Sequence, residues 1–311
     1  MSSQLDLLVV GSVALDTVET QVTTRTDVLG GSASFFSAAS SFLTSVGLVA
    51  VVGDDFPDEH TQLLTRLGVD TQGMERRSGQ TFRWHGRYSD DFNKRTSLDT
   101  QLNVFAGFEP KLHPAHASAR LLFLGNIDPV LQLRVLDQMQ NVQLVGLDTM
   151  NFWINGSREA LLKVLRRVDF LLLNDEEARL LSGRHNLVHA AQAIQRLGPK
   201  NVVIKRGDAG ALLFHEEHIF AAPALPLTDV VDPTGAGDSF AGGFMGYLSR
   251  TWKGGHLDGT FVRRAMICGS TMASFCCEDF SLDRFRALTH PIIDSRFRAF
   301  RQLTHFEDLV L

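Results

Sequence analysis

A glycine-rich turn at residues 230–240, lying between an extended run and a helix, is the part of the sequence best suited to chemistry. Gly235 and Gly237 remove side-chain bulk on either side of Ala236, so unpaired N–H groups at the helix start form a cradle for anionic oxygens. Asp238 then lies in the first helical turn and could accept a proton from an attacking hydroxyl. One base and one anion hole are a sufficient core for phosphoryl transfer.

A simpler interpretation of this turn stays open, because Asp238 could merely favour the start of the helix. Two neighbours favour the chemical interpretation. Pro233 stiffens the approach to the turn, and Asp232 adds a second carboxylate that is able to bind a cation.

Polar residues also follow two apolar runs that we predict to be strands. Asn126 and Asp128 follow 121–124, while Asp148 and Asn151 follow 144–147. Open α/β sheets bind ligands at the carboxyl ends of their strands, so these residues are candidate ligand contacts. Each could instead be an ordinary polar residue of a surface loop.

The elements that position these residues alternate between short apolar runs and amphipathic stretches. Strands that are apolar on both faces suit a parallel sheet covered by helices on each side. We therefore predict an α/β fold with a mostly parallel central sheet. The runs are 7–10, 48–52, 121–124, 144–147, 170–173 and 202–204, and the amphipathic stretches include 34–44, 60–67, 157–167 and 187–197.

Residues 81–105 break this alternation. Bulky and polar residues alternate over 81–88, and a polar turn then leads into 96–105, which predicts a β-hairpin. The extended stretch 13–27 could join it in a small antiparallel sheet, acting as a lid or as a dimerisation surface. No linker or internal repeat divides the sequence, so we expect residues 1–311 to form a single domain with this lid.

Composition narrows the class of partner. A net charge of −5 without a Lys/Arg block argues against nucleic acid and anionic membranes, so we expect a small-molecule partner. Three cysteines cannot build a disulfide framework, and no apolar run approaches the ~18 residues of a membrane span. No signal-like segment precedes the first apolar run, and we expect a cytoplasmic protein.

The twelve residues Asp232 to Gly243, D-P-T-G-A-G-D-S-F-A-G-G, closely resemble the C-terminal signature of the PfkB/ribokinase family of sugar and nucleoside kinases. The resemblance implies that Asp238 is the catalytic base and that Gly235, Ala236 and Gly237 form the anion hole. It also implies a ribokinase-like fold with a β-sheet lid, and transfer of the γ-phosphoryl group of Mg-ATP to a hydroxyl of a sugar or sugar-like substrate.

Two earlier motifs resemble the acceptor-binding parts of that family. Residues 11–16, G-S-V-A-L-D, imply that Asp16 binds substrate hydroxyls, although Asp16 taken alone would be an exposed turn residue. The pair Gly30 and Gly31 implies a close approach of backbone to substrate. Phe35 stands where the family usually has a hydroxyl-binding Asn, and both Phe35 and Phe36 could pack in the core or stack on a ligand.

Three later motifs resemble the nucleotide-binding parts. Asn174 and Glu177 match an N-x-x-E motif associated with Mg²⁺, through water, and could also be a helix cap. Lys205, Gly207 and Gly210 match the nucleotide-binding turn, and Lys205 could meet phosphate. Met266 and Gly269 lie on a helix that resembles the one beside adenine, although core packing is the stronger alternative for Met266. The resemblance further implies a monovalent cation such as K⁺ near Asp232 and Thr234.

Three functions compete. The leading hypothesis is a carbohydrate kinase that uses Asp16, Gly30 and Gly31 to hold its acceptor. The alternative is a nucleoside kinase, because Phe35, Phe36 and the lid aromatics Phe82, Trp84 and Tyr88 could sandwich a base. The third is a catalytically silent ligand-binding protein. A homodimer through the lid would also fit.

Overall fold

The computed structural model of the chain describes residues 5–305 and 307, apart from 22, 90, 91 and 93. The strands, numbered along the chain, are β1 (Leu7–Val10), β2 (Ala14–Glu19), β3 (Thr24–Gly30), β4 (Val46–Val52), β5 (Val69–Arg76), β6 (Phe82–Tyr88), β7 (Arg95–Gln101), β8 (Leu121–Leu124), β9 (Leu144–Asp148), β10 (Phe170–Asn174), β11 (Asn201–Lys205), β12 (Ala211–His215) and β13 (His218–Ala222).

The helices are α1 (Ser32–Ser41), α2 (Asp58–Arg66), α3 (Pro114–Ala117), α4 (Pro129–Gln138), α5 (Asn151–Gly156), α6 (Arg158–Leu165), α7 (Asp175–Ser182), α8 (Leu187–Gln195), α9 (Ala236–Thr251), α10 (Gly259–Cys276) and α11 (His290–Thr304). Short 3₁₀ turns occupy Asn103–Gly107, Gly207–Ala209 and Arg284–Ala287. Within the part of the chain that the structure describes, no helix is both long enough and apolar enough to span a membrane.

Nine of the described strands form the main sheet, in the order β13-β12-β11-β10-β9-β8-β1-β4-β5. The strands from β11 to β5 are parallel, and β12 and β13 extend the sheet in antiparallel fashion. The mostly parallel sheet predicted from the sequence is confirmed. All the apolar runs named above lie in its strands.

The main sheet carries a core on each face. Leu7 and Val9 enter one core together with α1, α2, α9 and α10, while Leu8 and Val10 enter the other with α4, α6, α7 and α8. This alternation follows from the period of two in a strand. Helices therefore cover both faces, and the parallel strands all end at one edge between the two layers.

A second, four-stranded sheet has the order β3-β2-β6-β7. The predicted small sheet is present, but its predicted antiparallel arrangement is wrong for the middle pair, since β2 and β6 run parallel. Each of these two strands follows a strand of the main sheet, β1 or β5, and those two strands are themselves parallel to β4. They therefore leave the main sheet in the same direction. We call the four-stranded sheet the lid sheet.

Candidate active site

Two serines join the start of the lid sheet to the start of α1. Ser12 N donates to Ser32 Oγ over 3.3 Å, and Ser32 N donates to Ser12 Oγ over 3.1 Å. Ala33 N also donates to the Ser12 carbonyl over 3.0 Å. These bonds hold the two glycine motifs of the sequence against each other, so Gly30 and Gly31 lie beside Asp16.

Asp16 is buried on β2, with only 5% of its surface exposed, and is not an exposed turn residue. A Cβ at Gly30 would lie 1.9 Å from Asp16 Oδ2, so glycine there makes room for the carboxylate. The Gly31 N–H hydrogen-bonds that carboxylate from a backbone φ of 91°. Burial and then the Asp232 charge raise the pKa of Asp16 to about 8, while Arg95 and the Gly31 bond oppose the rise.

The turn before α9 packs on Phe35. Gly235 has a φ of 77°, and a Cβ there would lie 2.2 Å from Cγ of the Phe35 ring. Phe36 stacks on Phe123 with ring centroids 4.3 Å apart, and both Phe35 and Phe36 are closed to solvent. The interpretation that these two rings stack on a ligand is therefore wrong, because they are core residues that support the turn from below.

Asp238 lies in the first turn of α9 within a buried group of charges. Lys205, at the end of β11, places its Nζ 3.3 Å from Asp148 Oδ2, and a Cβ at Gly237 would lie 3.1 Å from the same Nζ. Burial and then the Asp148 carboxylate raise the pKa of Asp238 to about 7, and the same two causes raise that of Glu177 to about 7. Lys205 opposes both shifts.

Lys205 is the cation of this group. Its burial lowers the pKa of the amine, but the carboxylates of Asp148, Glu177 and Asp238 raise it further than burial lowers it. The strand order explains the meeting, because β9, β10 and β11 are neighbours and all end at the same edge. A charged amine beside the N–H groups at residues 235–237 is suited to an anionic phosphoryl group.

Asn174 and Glu177 form a capping box at the start of α7. Asn174 N donates to Glu177 Oε2 and Glu177 N donates to Asn174 Oδ1, each over 2.8 Å. The capping role considered from the sequence is confirmed. It leaves a role toward magnesium open, since the box uses only one of the two carboxylate oxygens of Glu177.

A chain of hydrogen bonds joins the lid sheet to this turn. Thr234 N donates to Asp232 Oδ1 over 2.8 Å, and Thr234 Oγ1 donates to the Tyr88 hydroxyl over 3.1 Å. Tyr88 also packs with Val18 and Phe280 in a small apolar cluster. Asp232 is buried, and within the described residues its Oδ2 has no hydrogen-bond partner. The lid sheet is thus in contact with the glycine-rich turn before α9.

The face of the lid sheet that carries Asp16 is aromatic and cationic. Asp16 pairs in register with Trp84, and Tyr88 pairs with Arg95. Trp84 Nε1 donates to Ser97 Oγ over 3.0 Å, and Arg95 Cζ lies 5.1 Å from the centre of the Trp84 ring. These side chains therefore face the same side of the sheet.

Comparison with known proteins agrees with this geometry. Residues 4–284 match the model of the "pfkB family carbohydrate kinase". The chain belongs to the PfkB family. It is a phosphotransferase that acts on a hydroxyl group, and the alternative of a catalytically silent binding protein is set aside.

Two curated relatives span most of this kinase. It is 31% identical over 252 residues to a cytidine kinase of Thermococcus kodakarensis. The match covers 79% of this chain and 89% of the relative. It is 26% identical over 301 residues to a nucleoside kinase of Methanothermobacter thermautotrophicus, covering 90% and 91%. An Escherichia coli structure described as a putative ribokinase II with ATP and Mg²⁺ has a TM-score of 0.77 at 17% identity, over 96% of this chain and 99% of that one. The ribokinase-like fold is confirmed.

Three predicted substrate contacts of the kinase follow β8 and β9 along the chain. Asn126 donates to Met150 Sδ over 3.1 Å and accepts from Trp153 Nε1 over 2.8 Å. Asp128 caps α4 by accepting from Val130 N over 2.8 Å, and Asn151 is exposed at the start of α5. Local loop contacts account for these bonds, so the roles of Asn126, Asp128 and Asn151 toward substrate stay predictions.

The predicted nucleotide contacts divide into two groups. Gly207 and Gly210 form the tight turn between β11 and β12, where Arg206 N donates to the Gly210 carbonyl over 2.8 Å. Met266 is fully buried, and a Cβ at Gly269 would lie 2.8 Å from the Phe240 carbonyl. Met266 and Gly269 thus pack α10 on α9 and have no place in the charged group around Lys205, whereas Gly207 and Gly210 follow directly after that lysine.

Sequence reasoning missed Arg95 and gave Tyr88 only a general aromatic role. The alternation over 81–88 was a usable signal for Trp84 and Tyr88. Arg95 could be placed opposite Tyr88 only once the register of β6 and β7 was known.

Proposed function

We propose that this kinase transfers the γ-phosphoryl group of Mg-ATP to a hydroxyl of the ribosyl part of a nucleoside. The observation that carries the proposal is the pairing of Asp16 with Trp84 on one face of the lid sheet. A carboxylate beside backbone N–H groups suits sugar hydroxyls, and an indole suits the flat face of a base. The cytidine and nucleoside kinase relatives support this choice over a free sugar.

In this proposal the acceptor lies between the lid sheet and the turn before α9. Asp16, with Gly30 and Gly31, holds the sugar hydroxyls, while Asp238 takes the proton from the attacking hydroxyl. The N–H groups of residues 235–237 and the Lys205 ammonium stabilise the charge on the transferring group. A base with a pKa of about 7 is suited to removing a proton near neutral pH.

The nucleotide side is assigned to the turn after β11 and to α7. Mg²⁺ enters as part of the Mg-ATP substrate, and we assign the second carboxylate oxygen of Glu177 and the Asn174 amide to water molecules of that ion. Gly207 and Gly210 would let the nucleotide approach the backbone. The unpartnered Asp232 Oδ2 is an oxygen donor that fits a monovalent cation such as K⁺ near Thr234.

A free sugar or cyclitol is the second candidate acceptor. It is favoured by Asp16 itself, which would bind hydroxyls with or without a base, and by an inositol 3-kinase of Arabidopsis thaliana that is 25% identical over 295 residues. That relative is covered over 76% of its length.

An ADP-release assay separates these candidates. Purified protein with Mg-ATP would be tested against cytidine, other nucleosides, ribose, inositol and water, with Asp238→Asn as the inactive control. The proposal expects turnover with nucleosides and a KM for them that rises about tenfold or more in Trp84→Ala, as expected when ring stacking worth ~1.4 kcal/mol is lost. Turnover of ribose or inositol alone, or an unchanged KM in Trp84→Ala, would contradict it.

We also propose that the lid sheet forms a homodimer. β7 lies at its outer edge, is exposed along its whole length, and carries Leu98 with 42% of its surface exposed. An exposed edge strand is a template for pairing with a second copy. Light scattering should give a dimer for the wild type and a monomer for Leu98→Asp, and a monomeric wild type would refute the proposal.

A further inference from the structure

Arg95 is a cation that faces the catalytic residues from the lid sheet. It pairs in register with Tyr88, so it shares a face with Asp16 and Trp84. Unlike Lys205, it is solvent-exposed. Its position is therefore opposite to that of Lys205, which reaches the site from the main sheet.

The guanidinium is held in place by aromatic neighbours. Its Cζ lies 5.1 Å from the centre of the Trp84 ring, and that ring is fixed by the bond of 3.0 Å from Trp84 Nε1 to Ser97 Oγ. Arg95 also hydrogen-bonds the Tyr88 hydroxyl. Stacking and a planar fork of donors are properties that arginine has and lysine lacks.

The support of Arg95 is attached to the anion hole. Tyr88 accepts a hydrogen bond of 3.1 Å from Thr234, which directly precedes Gly235. The apolar contact of Val18 and Tyr88 with Phe280 holds the lid sheet against the body at the same place. Arg95 is therefore positioned relative to residues 235–237 and does not depend on a distant loop.

The charges of the site are unbalanced without it. Carboxylates reach this region from β2, β9, α7 and α9, and burial raises the pKa of Asp16, Glu177 and Asp238, a rise that Arg95 opposes in all three. Lys205 opposes it for Glu177 and Asp238 from the other side. A phosphoryl group between the two cations would have positive charge on both sides.

We propose that Arg95 is a catalytic residue that binds the oxygens of the transferring γ-phosphoryl group from the lid side. In the step it assists, the acceptor O–H bond breaks and Asp238 receives the proton. The acceptor oxygen forms a bond to the γ-phosphorus, the bond from that phosphorus to the β–γ bridging oxygen breaks, and ADP leaves with its electron pair. Arg95 stabilises the charge that spreads over the oxygens of the transferring group. The proposal depends on phosphoryl transfer to a hydroxyl and holds for any acceptor class.

The simpler role would be that of a counterion for Asp16. That role needs a positive charge but no contact with phosphate. Arg87 offers a matched control, because it lies on β6 of the same sheet, faces the opposite side and pairs with Glu19 at 2.5 Å.

The experiment compares Arg95→Gln, Arg95→Lys and Arg87→Gln with the wild type, using whichever acceptor the wild type phosphorylates. We expect kcat to fall about 10²- to 10³-fold in Arg95→Gln, with partial recovery in Arg95→Lys and wild-type values in Arg87→Gln. The acid limb of the pH profile of kcat should also move to higher pH in Arg95→Gln, because Arg95 opposes the rise in the pKa of Asp238. The groups that face Asp238 are Asp148, Lys205, Asp16, Cys276 and Arg95, and the first four are unchanged in that variant.

Thermal unfolding shows whether each variant is folded. A folded Arg95→Gln with wild-type kcat and an unmoved acid limb would overturn the proposal. So would a loss confined to acceptor KM, which is the result expected of a counterion for Asp16. If the wild type phosphorylated no acceptor at all, the proposed function would fail first, which keeps the two failures distinct.

Discussion

Replacing Asp238 with Asn should lower turnover by orders of magnitude and yet stabilise the protein, by an amount that depends on pH. Burial and the Asp148 carboxylate raise the pKa of Asp238 from 3.8 to about 7 in the folded chain. The folded protein therefore holds this proton over a pH range in which the unfolded chain has released it. Stability is lost as the pH rises from about 4 to about 7, and asparagine, which does not titrate, removes that loss.

The magnitude follows from linkage. One pKa unit corresponds to ~1.4 kcal/mol, so a shift from 3.8 to about 7 sets an upper bound of about 4 kcal/mol, of which about 2 to 3 kcal/mol falls between pH 5 and pH 8. Coupling to Lys205 and Asp148 reduces the expected difference to about 1 to 2 kcal/mol. For a chain of this size, with an unfolding entropy of about 0.65 kcal/mol per degree, that is roughly 1.5 to 3 °C in Tm.

The assay is thermal unfolding of the wild type and Asp238→Asn at pH 5 and pH 8, with turnover measured on the same samples. The exposed carboxylate Glu217, in the turn between β12 and β13, provides the control Glu217→Gln, for which we expect equal Tm differences at both pH values. The variant Asp238→Asn should gain more at pH 8 than at pH 5 and lose about 10²- to 10⁴-fold in kcat. If the gain in Tm at pH 8 were equal to or smaller than the gain at pH 5, Asp238 would not be a buried carboxyl with a raised pKa.

Three further substitutions test the supports of the site. Gly30→Ala would put a methyl group 1.9 Å from Asp16 Oδ2, so acceptor KM should rise while Mg-ATP KM stays near wild type; equal effects on both would show a general distortion. Phe35→Ala should lower the free energy of unfolding, measured by chemical denaturation, by about 3 to 5 kcal/mol and should also lower kcat, because the Gly235 turn loses its support. Phe35→Leu should retain most of the stability and most of the kcat. Asn174→Ala breaks the capping box and should cost about 1 kcal/mol; an unchanged KM for Mg-ATP would remove Asn174 from the nucleotide site.

The parts of the site that follow from local sequence could be predicted. Asp148, Asn174 and Lys205 end strands that are apolar on both faces, and parallel strands must end at one edge. Gly235 and Asp238 lie in a turn whose helix start was evident from the spacing of the residues after it. These features depend on periodicity and on backbone chemistry, both of which a sequence displays directly.

The features that depended on strand pairing could not be predicted. Nothing local to β2 or β6 indicates that they run parallel, because that depends on how each leaves the main sheet. Arg95 lies in a polar stretch where any basic residue would be taken as exposed, and only the register opposite Tyr88 gives it a direction. Register between distant strands is set by tertiary packing.

Phe35 changes how the acceptor can be recognised. The family resemblance expects an asparagine there to bind a hydroxyl, but the ring found in its place is buried under Gly235. Phe35 therefore supports the Gly235 turn, and its phenyl ring carries no group that could hydrogen-bond a hydroxyl. We therefore propose that the lid sheet recognises the acceptor, with Asp16 as the polar contact and Trp84 as the flat one. An acceptor with hydroxyls at one end and an aromatic base at the other matches that division better than a small sugar does, since a small sugar has no flat ring to stack on the indole.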